Sequence, residues 1–137
     1  MNNQEFIDGN IRFFDQREYS LPLICTGAGT PTINFLVKWV SAKRVRLSWT
    51  QTIFTTTSQN VLSTTLPTSL APVIQVLHLF VIGSSTQYHT GMINIYTNSS
   101  ISFRFMGRLA ASDNVYGSLQ NATEYTIFPS SIEWDTA

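Results

Sequence analysis

Charge is what this chain has least of. Only 12% of its 137 residues are Asp, Glu, Lys or Arg, about half the ~25% usual in globular proteins. Between Arg46 and Arg104 no side chain carries a formal charge, apart from whatever state His78 and His89 take. Acids and bases balance at eight each. The basic footprint that binds nucleic acid is therefore missing, and so is an acidic tail. Lys38, Lys43, Arg44 and Arg46 do cluster, but on one alternating stretch that reads as a solvated strand face. Cysteine is scarcer still. Cys25 stands alone, which excludes a disulfide within the chain and a cysteine-built metal site. It reads as a buried, idle thiol.

Long apolar runs are also lacking. The longest, residues 72–82, is interrupted by Gln75 and His78 and is too short to span a bilayer. No membrane insertion is expected. The opening MNNQEFIDGNIRFFDQRE is polar and acidic, without the basic segment and apolar core of a secretory leader. The expectation is a soluble protein made in a cytoplasm.

Helix signals are nearly absent. No twelve-residue window shows apolar spacing of three and four behind a capping box. Strand signals recur instead. Residues 44–50 alternate strictly, with Val45, Leu47 and Trp49 on one side and Arg44, Arg46, Ser48 and Thr50 on the other, as a half-buried antiparallel strand does. Residues 33–40 precede it across Ser41, Ala42 and Lys43, predicting a hairpin. Residues 92–96 and 101–105 flank an Asn-containing turn and predict another. Residues 124–128 and 131–135 predict two closing strands separated at Pro129. Residues 84–90 and 107–120 read as polar loops, and residues 63–72 as an ordered loop anchored by Leu66 and Leu70. Residues 1–30 are set apart as an N-terminal segment, a linker or extra strand, ahead of a domain at 31–137.

Residues 73–82 are different in kind. Val73, Leu77, Leu79 and Val81 fall on one face; Ile74, Val76, Phe80 and Ile82 fall on the other. A strand apolar on both faces is covered on both, and in a small domain the second cover is often another chain. The charge-free middle points the same way. Charge is dispensable where surface is shared between copies, and costly there unless paired.

The order of elements carries a resemblance. Trp39 ends one strand and Arg44 to Trp49 follows. Thr65-Leu66-Pro67-Thr68-Ser69-Leu70-Ala71-Pro72 then leads into an apolar strand. Gly91-Met92-Ile93-Asn94-Ile95 precedes Asn98-Ser99-Ser100-Ile101-Ser102-Phe103, and a closing strand carries Ile132 and Trp134. Over residues 35–135 this resembles the distal domain of bacteriophage tail-fibre and receptor-binding proteins, or a related viral fibre head. The turn departs from that pattern, with Asn98-Ser99 where Asp-Gly or Asn-Gly is favoured. The first 30 residues match no shaft segment. The resemblance implies an all-β antiparallel sandwich of jelly-roll or fibre-head kind, a homotrimer on a virion beside other virion proteins, and binding to a host-surface saccharide or other receptor. A structural virion protein without receptor binding (capsid, cement or fibre tip) is the alternative. A lectin-like or TNF-like cellular module is a third reading, but a signalling module of that kind would normally be exported.

No HExxH, GxSxG or phosphate-binding loop occurs. Glu133 and Asp135 share a strand face, and paired carboxylates can hydrolyse glycosides, but two acids on a terminal strand read as solvated. No enzyme, cofactor or metal is expected. Sugar binding asks for aromatic faces beside planar polar groups. The predicted loops supply Tyr88 and His89 in one, and Arg108, Asp113, Asn114 and Tyr116 in the other. The three tryptophans read as core, and His78 as a packed histidine near a subunit contact.

Overall fold

The computed structural model describes residues 3–7, 10–14, 17–85, 87–106 and 117–137, the first two stretches as backbone alone. The strands are β1 (Asn3–Ile7), β2 (Asn10–Phe14), β3 (Tyr19–Ile24), β4 (Thr26–Gly27), β5 (Thr32–Ser41), β6 (Arg44–Trp49) and β7 (Thr52–Thr55). They continue with β8 (Leu62–Thr65), β9 (Val76–Ser84), β10 (Gln87–Ile95), β11 (Ser100–Phe105), β12 (Glu124–Ile127) and β13 (Ser130–Asp135). One 3-10 turn, Thr68–Leu70, is the sole helical element among the described residues. β1 and β2 pair with each other. The rest form a seven-stranded sheet, ordered β4-β8-β11-β10-β9-β12-β7, and a four-stranded sheet, ordered β13-β6-β5-β3. All pairings are antiparallel. The expected all-β sandwich is the fold of this chain.

Alternation explains why the two sheets meet as they do. Ile33, Phe35 and Val37 of β5, with Val45, Leu47 and Trp49 of β6, point inward from the small sheet and are buried. Phe80 and Ile82 of β9, Ile93 and Ile95 of β10, and Ile101, Phe103 and Phe105 of β11 meet them from the large sheet. Trp49 is the centrepiece. Its ring stands edge-on to Phe80 at 5.7 Å and to Phe103 at 5.8 Å, and Phe80 and Phe103 meet at 5.6 Å. Its Nε1 donates to the Phe128 carbonyl at 2.9 Å, so the indole leaves no polar atom stranded in the core. Gly91 lies opposite Phe80 in the ladder. A Cβ there would sit 2.6 Å from the ring, so this strand glycine makes room for the aromatic.

The 32–41/44–49 hairpin forms as expected, with a bulge between Trp39 and Ser41. The β10–β11 hairpin forms too. Ser99 holds φ at 70°, the left-handed conformation that a glycine would take with less strain. Leu66 and Leu70 are both buried, and Trp134 Nε1 donates to the Leu70 carbonyl at 2.8 Å.

Three readings of the sequence need correction. Residues 84–90 are not a loop: β9 runs to Ser84 and β10 begins at Gln87, with Ser85 at φ 50° starting a two-residue turn. Residues 63–72 are not all loop: β8 runs from Leu62 to Thr65, because threonine is β-branched and favours strands despite its polarity. The apolar strand begins at Val76, not at residue 73, with Pro72 bridging Thr136 ahead of it. Within the N-terminal segment, β3 is an extra strand on the edge of the small sheet. It carries Pro22, a residue that edge strands tolerate. Most of the second predicted loop lies outside the described residues. Its end, Leu119, bridges Asn60 and is buried.

Candidate functional site

The period of two that fills the core also decides what the outer faces carry. On the large sheet, β9 turns Leu77, Leu79 and Val81 outward, at 62%, 57% and 48% exposure. Beside them stand Thr90 and Met92 of β10, opposite Val81 and Leu79. Across β12, Thr126 pairs with Gly83 and with Ile53 of β7, and Ile53 is exposed. Val73 and Ile74, ahead of β9, are exposed as well. They line a groove of about 360 Å³ with Leu77, Trp134, Arg44 and Asp135. The charged side chains on this face among the described residues are Arg104 and Glu124, both off the aliphatic stripe.

β9 is also incompletely paired. β10 covers one edge along Val76–Ser84, but on the other edge β12 pairs only with Ile82, Gly83 and Ser84. The Phe128 N–H adds one bond to the Val81 carbonyl at 3.0 Å. Among the described residues no other strand pairs with Leu77 to Phe80 on that side. An apolar strand with a free edge is a template for association.

Tyr88 lies at the hairpin end of the same face. Its ring is three-quarters exposed and sits 5.6 Å from the Phe128 ring. Both rings lie over Gly83, where a Cβ would come within 3.2 Å of Phe128 and 3.8 Å of Tyr88. Gly83 thus floors a small aromatic shelf. His89, next in sequence, points to the other side of the strand. It packs on the Phe105 ring at 4.8 Å and shares a 3.3 Å hydrogen bond with Ser84 Oγ. The expected exposed loop histidine is a partly buried strand residue, and the structure separates it from Tyr88. Arg108, Asp113, Asn114 and Tyr116 lie outside the described residues. Phe128 was missed by sequence reasoning. Its place beside Tyr88 depends on the β9–β12 register, and no local pattern announces that.

Other polar groups are accounted for by packing. His78 Nε2 and Ser130 Oγ share a 2.8 Å hydrogen bond at the core margin, with Trp49 edge-on at 6.3 Å. Burial pulls the His78 pKa below its ordinary value. Burial pushes the Cys25 thiol up to about 12, which keeps it protonated and inert. Glu133 is held by Arg44 and Arg46 across β13 and β6, and Asp135 by Arg44 at 3.0 Å. On β10 and β11, Asn94 Nδ2 donates to Ser102 Oγ at 3.4 Å, while Asn94 Oδ1 and Arg104 Nε are buried without a partner among the described residues. No group of three His, Cys, Asp or Glu side chains there could hold a metal ion.

Searched against protein-family models and curated proteins, the sequence matches no family model and no curated protein.

Proposed function

We propose that this chain is a head module of a virion fibre or spike, made in the host cytoplasm, which binds a host-surface saccharide without turning it over. The reading joins the sandwich fold to the resemblance carried by residues 35–135. One observation supports the saccharide above others: the Tyr88–Phe128 shelf, an exposed tyrosine ring beside a half-buried phenylalanine ring near the end of the β9–β10 hairpin. Aromatic faces stack against the C–H faces of sugar rings and leave the hydroxyls to neighbouring polar groups. Such a site is shallow and weak alone. A homotrimer repeats it three times and a virion many times, and linked sites gain roughly 10²–10⁴ in avidity. Arg108, Asp113, Asn114 and Tyr116 are candidates for this site from the sequence alone, outside the described residues.

The test is glycan-array binding by the wild-type chain, then titration of the best saccharide against Tyr88→Ala. The melting temperature checks that the variant is folded. The expected outcome is loss of binding by a folded variant. A folded Tyr88→Ala that binds as well as wild type places the site elsewhere. A wild-type chain that binds no saccharide leaves the second reading, a virion protein used for assembly alone. That reading is favoured by a separate observation, the exposed aliphatic stripe on β9.

A further inference from the structure

We infer that the outer face of the large sheet, centred on Leu77, Leu79 and Val81 of β9, is a contact surface for a second copy of this chain. Three observations carry it, none of which involves the Tyr88 shelf. The first is area. An aliphatic side chain carries ~100 Å² of apolar surface. On this face Ile53, Leu77, Leu79 and Val81 are each about half to three-fifths exposed, which makes roughly 225 Å². A stable interface covers ~800 Å² per partner, a little over half of it apolar. The four side chains supply about half of that apolar share, and the methyl and methylene groups of Thr90, Met92 and Thr126 lie beside them. The second is the edge of β9 from Leu77 to Phe80, where β12 has already ended and no other strand pairs among the described residues. A strand or loop of a neighbouring copy would satisfy backbone groups there as well as cover the stripe. The third is charge. The stripe carries none, so it selects no oppositely charged partner, and an aliphatic surface matches its own kind. The small sheet's outer face, by contrast, is occupied by Arg44, Arg46, Glu133 and Asp135 pairing among themselves.

Light scattering on the purified full chain at micromolar concentration tests this. The wild type is expected at a whole multiple of 15.4 kDa. Leu79→Asp is expected at the single-chain mass, folded by circular dichroism, because the position is solvent-facing in the single chain. Ile24→Asp, equally exposed but on the small sheet's outer face, is expected to keep the wild-type mass. Should Leu79→Asp fail to fold, Leu77→Lys carries the same test at an even more exposed position. A wild type that stays at 15.4 kDa overturns the inference. So does a folded Leu79→Asp or Leu77→Lys that keeps the multimer, or an Ile24→Asp that dissociates in its place. Saccharide binding is scored separately on Tyr88→Ala, which is expected to retain the wild-type mass; a single-chain wild type would remove the avidity of the proposed function but leave the Tyr88 shelf to its own test.

Discussion

The two outer faces of this sandwich solve the same problem in opposite ways. The small sheet carries Lys38, Arg44, Arg46, Glu133 and Asp135 outward, in a register that sets Arg46 beside Lys38 on one side and Glu133 on the other. Its charges pair across strands, and it meets water. The large sheet carries Leu77, Leu79, Val81 and Ile53 outward, and its charged side chains among the described residues, Arg104 and Glu124, stand off the stripe. Both faces rest on one core, so folding cannot account for the difference. Inward residues are chosen by packing. Outward residues differ between the faces, and the contact proposed above would give the large sheet's aliphatic stripe an apolar surface to meet.

The comparison can be broken first from beneath. Phe80 supports the stripe from the inside and touches Trp49 of the other sheet. Phe80→Ala is expected to cost about 3–5 kcal/mol, lowering the chemical-denaturation midpoint and disturbing both faces together. A smaller loss would mean that the cavity collapses easily. Gly91→Ala acts at the same contact by crowding. Its new methyl must displace a ring flanked by Trp49 and Phe103, and the expected loss is about 1–3 kcal/mol. A neutral result would show that the ring can move aside.

Gentler changes sharpen the contrast. Glu133→Gln weakens both Arg44 and Arg46 contacts on the small sheet, yet these pairs are solvent-exposed. The expected loss is below about 1 kcal/mol and shrinks further in high salt. A salt-independent loss would contradict the solvated-face reading. The smallest effect concerns pH. Burial lowers the His78 pKa, so the folded state holds this proton less tightly than the unfolded chain does. The stability tied to neutral His78 is complete above the ordinary histidine value of ~6.5 and declines as pH falls below it. Thermal melts between pH 7 and 5 should show a slight fall that His78→Gln removes. An unchanged slope in that variant would assign the titration to another group.

Much of this was legible in the chain. The alternation through Val45, Leu47 and Trp49 fixed which side of β6 is core, and the same rule put Leu77, Leu79 and Val81 together on one face. The expectation that another chain covers that face came from the same alternation and rests with the proposal above. Less legible were the ends of strands. Gln87 to Thr90 look like loop residues because they extend the hairpin beyond the core, where polarity no longer reports burial. Threonine hid β7 and β8 in the same way. The opposed directions of Tyr88 and His89 follow from a period of two once the strand is known, but the loop reading concealed it. Phe128 could not be placed from sequence, because it joins Tyr88 only through the register of a strand some forty residues away.

The proposed cover over the large sheet is tested most directly by thiol labelling. Cys25 is fully buried and its pKa is pushed up to about 12, so the native chain offers a silent background. Thr90→Cys places a thiol beside Val81 on the large sheet, and Ile24→Cys places one on the small sheet; both positions are exposed in the single chain. At micromolar protein, Thr90→Cys should react with a maleimide roughly tenfold or more slowly than Ile24→Cys, since the dissociated fraction sets its rate by mass action. Dilution should close the gap. Equal rates at every concentration would show the stripe open to water and contradict the account.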